Sequence, residues 1–252
     1  MKRKRFINIV FILLEYVGWN YYHWMPTFLR KIIQPNYKHI LNFVILAAEE
    51  TEGKLILDAG AGPCPYKKLF NKSIYESTDY NNHNNIHTFQ SSLEEIPIED
   101  ARYDAILCSE VLEHVKSPQK AVAEFNRILK PTGKLYITVP LQARFHSAPY
   151  HYFNFTESGL RLILEEEGFQ NIKIKPNGGM FHFIANNINV LPQELFLQQL
   201  RRKKIFLSLL ILPVVLLVHV ASVFLNPILY VLDCVDKDMY ITTGYTCSCN
   251  KK

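Results

Sequence analysis

The 252-residue chain has five cysteines and no C-x-x-C pair among them. Cys64, Cys108, Cys234, Cys247 and Cys249 are odd in number and lack ligand spacing, which excludes a disulfide framework and a zinc knuckle and points to a reducing compartment. Charge of one sign is also scarce: 28 Lys+Arg face 23 Asp+Glu, and a formal +5 is too mild to argue for nucleic acid. The chain has none of the compositional bias of a disordered, collagen-like or repeat protein. No small-x-small cleavage site follows the nine-residue apolar stretch Phe6 to Leu14, which runs on into Glu15-Tyr16-Val17-Gly18-Trp19-Asn20. The expectation is an uncleaved helix that packs on the domain or touches lipid, not a secretory signal.

What is present is apolar material, 48% of residues with 13% aromatic, enough for one sizeable core. The basic residues are bunched. Lys2-Arg3-Lys4-Arg5 opens the chain and Arg201-Arg202-Lys203-Lys204 precedes the longest apolar run, Ile205 to Leu232. Both clusters adjoin apolar sequence, so a membrane surface outranks nucleic acid as the partner of 205–232 and of 1–14.

Residues 1–38, aromatic, basic and broken by Pro26 and Pro35, read as an N-terminal helical extension. From Tyr37 a helical pattern (Ile40, Leu41, Val44, Ile45, Ala48) runs to Gly53, a helix stop. Lys54 to Asp58 is then a short apolar run ending in a Gly-rich turn, as when a buried parallel strand feeds a helix. Strands are expected at 73–79, around 86–89, at 103–108, 134–139 and 170–175. Helices are expected over Pro118 to Leu129 and from the Thr156 cap through Glu167. Strands alternating with helices give a parallel sheet. Tyr240 to Cys249 alternates like a last strand, so 39–179 and 239–252 form the core and 180–238 a hydrophobic helical insertion. Because both ends of that insertion return to the core, a hairpin broken near Pro213 or Asn226-Pro227, or helices lying in the interface, fits better than one crossing. A hydrophobic cap buried against the domain or in a dimer is the competing reading.

The chemistry begins at Asp58-Ala59-Gly60-Ala61-Gly62-Pro63. Two glycines at a strand's carboxyl end let the backbone turn sharply and approach a ligand. About twenty residues on, Asp79 ends the next strand, where a carboxylate can accept both hydroxyls of a ribose. Ser109-Glu110-Val111-Leu112-Glu113-His114 follows the fourth strand, and i, i+3, i+4 spacing would place Glu110, Glu113 and His114 on one face of a helical turn. Two carboxylates and an imidazole suit a divalent metal; the competing reading makes His114 a base, with Glu113 orienting it.

Taken together, Leu57 to Gly62, Asp79, Tyr103 to His114 and Leu129 to Pro140 resemble the class I S-adenosylmethionine-dependent methyltransferases, over roughly residues 37–180. The resemblance implies a Rossmann-like three-layer αβα sandwich with a seven-stranded, mostly parallel sheet whose last strand is antiparallel. It implies that Asp58, Gly60 and Gly62 shape the pocket around the methionine moiety, that Asp79 holds the ribose, and that Leu93 lies against the adenine. Tyr80 and Ser109 join the cofactor-binding set. Two departures stand out. Cys64 occupies the third glycine position, and Ser92 stands where many members carry an acidic residue near the adenine, a weaker partner than a carboxylate. Similar E-x-x-E-H stretches bind a divalent cation in ubiquinone-pathway and small-RNA methyltransferases. The loop Phe145 to Thr156 also resembles one in methyltransferases of bacterial surface-polysaccharide loci, which makes His146, His151 and Tyr152 candidates to face the acceptor.

Without the D/N-P-P-Y/F stretch of amino-directed relatives, oxygen is the favoured acceptor atom and carbon the alternative. The expected function is O-methylation of a lipid-linked or cell-surface glycan precursor, with His114, Glu113 and His151 catalytic, at the cytoplasmic face of a membrane. A prenylated quinone-like lipid is the alternative acceptor, and a catalytically silent cofactor-binding scaffold the alternative class.

Overall fold

Residues 26–81, 85–143 and 149–252 are described in the computed structural model. Short apolar runs buried on both faces form the middle of a seven-stranded sheet. Its strands are β1 (Leu55–Ala59), β2 (Ile74–Asp79), β3 (Phe89–Gln90), β4 (Tyr103–Ser109), β5 (Leu129–Pro140), β6 (Phe169–Pro176) and β7 (Gly244–Lys251). They lie in the order β3-β2-β1-β4-β5-β7-β6, with β7 antiparallel to both neighbours. The order reverses between β1 and β4, which opens a crevice beyond the carboxyl ends of these strands.

The pleat of β1 sends alternate residues to opposite faces. Ile56, with Leu107 and Tyr136, packs under α2 (Pro35–Glu50), whose Ile40, Val44, Ala47 and Ala48 recur at helical spacing. Leu57, with Ile106 and Ile137, packs under α3 (Pro118–Ile128) and α4 (Glu157–Glu166) through Ala121, Val122, Phe125, Ile128, Leu160 and Leu164. Three layers result. The Thr156 cap holds: its hydroxyl accepts from Gly159 N at 3.1 Å.

Several boundaries depart from expectation. No α-helix follows the Gly-rich turn; residues between β1 and β2 form only a 3₁₀ turn, Lys67–Phe70. Pro63 and Pro65 remove two N–H donors where a helix would start, and Cys64 between them takes the left-handed conformation, φ 53°. β5 begins at Leu129 rather than Lys134, with a register irregularity against β4 and Thr132 at φ 63°. β7 begins at Gly244 rather than Tyr240, because Thr243 O is taken by Leu141 N and Gln142 N, at 3.0 and 3.1 Å. At Gly244 a β-carbon would stand 2.4 Å from Val139 O, so only glycine lets the strand approach β5 there.

The described part of Met1–Lys38 and Gly178–Ile241 make a second compact unit. It contains α1 (Thr27–Ile33), α5 (Met180–Arg201) and α6 (Ile205–Leu232), the last two joined by a turn at Arg202 to Lys204. At the base of this hairpin Asp233 accepts from Gly179 N and His182 N, both at 3.0 Å, and pairs with the His182 ring; Asp236 accepts from Met180 N at 2.6 Å. Two carboxylates thus satisfy the first amides of α5. Contrary to the expected break, α6 runs unbroken through Pro213 and Pro227. Across Pro227 it is tied to α1, with Asn226 Nδ2 donating to Ile32 O at 2.8 Å and the Tyr230 hydroxyl to the same carbonyl.

Candidate active site

The site is built at the switch point of the sheet. β1 ends in Asp58-Ala59, and Gly60 and Gly62 turn the chain at φ 76° and 51°. Gly60 is required by packing: a β-carbon would lie 2.5 Å from Val111 Cγ1. At Gly62 a β-carbon would meet nothing within 4 Å, so the turn's outer side is open to a ligand. Gly60 N and Ala61 N donate to Thr78 O, and Gly62 N donates to Asp79 Oδ2 at 2.9 Å. Asp79 Oδ1 accepts from Asn81 N at 2.8 Å. Gly62 N and Asn81 N thus hold the two Asp79 carboxylate oxygens in position at the end of β2.

Cys64 keeps the shape of the glycine it replaces. Its φ is 53° and its N donates to Ala61 O at 2.8 Å, while Sγ lies 3.7 Å from both Ser77 Oγ and His87 Nδ1. The turn is therefore strained at Cys64.

Asp58 is buried beneath the turn, its Oδ2 accepting from the Tyr75 hydroxyl at 2.6 Å. Burial pushes its pKa up to about 7, against the Tyr75 hydrogen bond, and Asp79 adds to the rise. Glu110 leaves β4 at φ 55°, its carboxylate accepting from the Thr138 hydroxyl at 2.9 Å; burial lifts it to about 7 as well. Glu113 is 1% exposed, and burial, then the neighbouring Glu110, raises it well above the usual carboxylate range. Its Oε2 has no hydrogen-bond partner among the described residues. Burial thus disfavours the ionised form of all three carboxyl groups, and a neighbouring positive charge such as a sulfonium would favour it. The open Gly62, the positioned Asp79 and the unsatisfied Glu113 Oε2 fit S-adenosylmethionine.

They do not fit a divalent metal. Among the described residues no three His, Cys, Asp or Glu side chains converge to hold an ion. The helical turn on which the Glu110, Glu113 and His114 ligand set depended is absent: the left-handed Glu110 ends the strand, and only Leu112–His114 turns, as 3₁₀. Glu110 is drawn instead to Thr138.

His114 lies where β4 gives way to this turn. Its Nδ1 is 2.6 Å from Tyr150 O, and because a carbonyl only accepts, Nδ1 carries the proton and Nε2 the lone pair. Nε2 stands 3.7 Å from Glu113 Oε1. Burial, then His151, lowers the His114 pKa against the Tyr150 hydrogen bond, so the ring is neutral near pH 7. The rings of His114 and His151 are 5.7 Å apart. Glu113 O accepts from Tyr152 N at 2.8 Å and Phe153 N at 3.3 Å, which lays the loop carrying His151 alongside His114. His151 Nε2 in turn donates to Phe153 O at 3.1 Å. His146 lies outside the described residues.

Elsewhere the expected residues are spread differently. Leu93 is buried in the core, and Ser92 Oγ accepts from Glu94 N at 3.2 Å, making a local turn. Tyr80 is exposed, and Ser109 Oγ shares a hydrogen bond with Thr138 Oγ1 at 3.0 Å. Tyr75 and Thr138, which hold Asp58 and Glu110, were missed. Their roles depend on strand pairing: Tyr75 and Ser77 lie beside Ile56 and Asp58 of β1, and Thr138 beside Ser109.

The reversed strand order, the glycine turn and the acidic end of β2 define a class I S-adenosylmethionine-dependent methyltransferase domain. Residues 58–137 match the methyltransferase domain family. Over 97 residues it is 28% identical to a protein of Mycolicibacterium smegmatis named a probable S-adenosylmethionine-dependent methyltransferase, 36% of this chain and 37% of that one. Over 115 residues it is 29% identical to the ubiquinone/menaquinone biosynthesis C-methyltransferase UbiE of Vibrio cholerae, 38% of this chain and 44% of that one. The chain thus spans 37% and 44% of the length of these curated relatives. In fold it is similar to the 1,6-didemethyltoxoflavin-N1-methyltransferase of Burkholderia thailandensis, solved with 1,6-didemethyltoxoflavin and S-adenosylhomocysteine bound. That match has a TM-score of 0.53 at 14% identity and covers 85% of this chain and 78% of that one.

Proposed function

We propose that the protein is an S-adenosylmethionine-dependent O-methyltransferase acting on a lipid-linked or cell-surface glycan precursor at the cytoplasmic face of a membrane. The observation that carries the oxygen assignment is His114, a neutral imidazole whose protonated Nδ1 is fixed on Tyr150 O, so that Nε2 is the basic atom.

Bound S-adenosylmethionine brings a methyl group already activated on a sulfonium, so the chain's residues need to align a nucleophile, exclude water and take up one proton. Asp79 anchors the ribose and the Gly60–Gly62 turn admits the methionine end. Asp58, Glu110 and Glu113 balance the positive charge. With that methyl donor bound and its methyl passing to the acceptor oxygen, His114 Nε2 would take up the acceptor's hydroxyl proton and become an imidazolium. Glu113 then steadies that imidazolium. His151 and Tyr152 line the acceptor side of the loop.

A second reading follows from the likeness to the Vibrio cholerae enzyme: a prenylated, quinone-like acceptor methylated at carbon. The same base serves there, because removing a phenolic proton loads the ring carbon with electron density.

The test is calorimetric titration of detergent-solubilised protein with S-adenosylhomocysteine, together with transfer of labelled methyl from S-adenosylmethionine into a bacterial lipid extract. Micromolar binding, weakened about 100-fold or more in Asp79→Ala, supports the cofactor site; that loss is about 2.7 kcal/mol. Binding without transfer to any lipid fraction would overturn the lipid acceptor, and absence of binding to folded wild type would overturn the enzyme.

A further inference from the structure

Helix α6 has its polarity inverted. Its inward face, turned to the rest of its own unit, carries Ser208, Val215, Ser222, Asn226 and Leu229, all buried. Its outward face carries Phe206, Leu210, Leu217, Val220, Phe224 and Val231, each more than half exposed. At 100° per residue the outward set spans a continuous band along the whole helix. In water such a helix would turn the other way; the solvent that matches it is hydrocarbon.

The unit's connections limit how lipid can be met. Residues 178–241 leave and re-enter one sheet at adjacent points, since Pro176 pairs with Tyr245 and Asn177 N donates to Gly244 O at 2.9 Å. Both ends therefore lie on one side of a bilayer. If α6 crossed, α5 would have to cross beside it. α6 is long and apolar enough, but α5 is not: it holds Asn186, Asn187, Gln193, Glu194, Gln198 and Gln199. A crossing would also carry the hairpin turn, with exposed Arg202, Lys203 and Lys204, to the far side. At 1.5 Å per residue α6 is about 42 Å long, more than the roughly 30 Å hydrocarbon core.

We propose that the α5–α6 hairpin is a membrane anchor lying in the plane of the interface of an anionic phospholipid surface. The outward band of α6 is sunk among the acyl chains, and Arg202, Lys203 and Lys204 sit among phosphate headgroups on the protein's own side. α6 needs no polar outer face for this, because its Asn226 and Tyr230 donate to Ile32 O of α1, Tyr230 stacks on His182 of α5, and Ser222 donates to His219 O of its own helix.

The experiment uses the full chain with spin labels placed singly at Lys203, Leu210, Leu217 and Phe224, diluted from detergent onto preformed vesicles of phosphatidylcholine with and without phosphatidylglycerol. The expected result is flotation with the anionic vesicles, similar shallow depths for the three α6 labels from oxygen and nickel-chelate relaxation, and reduction of the Lys203 label by externally added ascorbate. A depth profile peaking near mid-helix, with position 203 protected from ascorbate, would overturn the in-plane arrangement in favour of crossing. Failure to float, with the α6 labels shielded in a stable dimer, would overturn the lipid assignment in favour of a second copy. Leu217→Glu combined with Phe224→Glu should cut vesicle binding at least tenfold while leaving S-adenosylhomocysteine binding unchanged. That second readout separates loss of the anchor from loss of the fold, and from failure of the methyltransferase reading.

Discussion

Phe125 and Phe224 are both aromatic residues on helices, and they stand in opposite environments. Phe125 of α3 is 0% exposed under the sheet, whereas Phe224 of α6 is 72% exposed. The polar residues invert in step: Ser222 and Asn226 are fully buried in the helical unit, while α3 turns Gln119, Lys120 and Glu124 outward or to partial exposure. The sheet unit follows the rule for water, and the outward band of α6 follows its reverse. A helix is ordered by where its apolar band can go, so the same composition builds a core in one place and a contact surface in another.

The largest effect expected from testing this contrast is catalytic. With label transfer into lipid as the readout, His114→Ala should lower turnover 100- to 10,000-fold and leave S-adenosylhomocysteine affinity within about threefold, because a general base acts only in the transition state. In wild type, turnover should fall with decreasing pH through a pKa below the ordinary histidine value of 6.5. Next in size, Phe125→Ala should cost about 3–5 kcal/mol of stability in urea, as expected for a buried aromatic. Phe224→Ala in detergent should cost less than about 0.5 kcal/mol. Equal losses would erase the distinction between the two units.

A pH effect of comparable ceiling comes from Asp58. Its folded pKa is about 7 against an ordinary 3.8, so the folded protein keeps a proton that the unfolded chain releases. Stability from this group is present below pH 3.8 and is lost as pH rises to about 7, by at most on the order of 4 kcal/mol. Urea midpoints across pH 4–8 should therefore decline in wild type and decline less steeply in Asp58→Asn, where Glu110 and Glu113, also raised by burial, still contribute. The smallest effect is at Cys64, where Cys64→Gly removes a side chain from a left-handed position; a gain of about 1 kcal/mol in thermal or urea stability is expected. No gain would mean that the Sγ contacts to Ser77 and His87 offset the strain.

Much of the site was legible because its parts are local. A strand end, two glycines and an acid about twenty residues on are read from spacing, and each lies where the sheet puts ligands. What spacing could not reveal was the conformation of single residues. Glu110 at φ 55° ends the geometry that would have made a metal site, and Pro63 and Pro65 abolish a helix that the family pattern supplies. Nor did the pattern show Tyr75 or Thr138 behind the acids, since those contacts cross between strands.

Along the chain, alternating apolar runs, turn glycines and caps were enough to specify strand and helix order, because each depends on neighbours a few residues apart. The strand order, the protonation of Asp58, Glu110 and Glu113, and the tautomer of His114 arise only when distant segments exclude water from one another. Burial sets those proton affinities, and it exists only in the folded protein. The outward band of α6 belongs to both: its residues are plain in the sequence, and its direction was decided by the packing of Ser222, Asn226 and Tyr230 against their own unit.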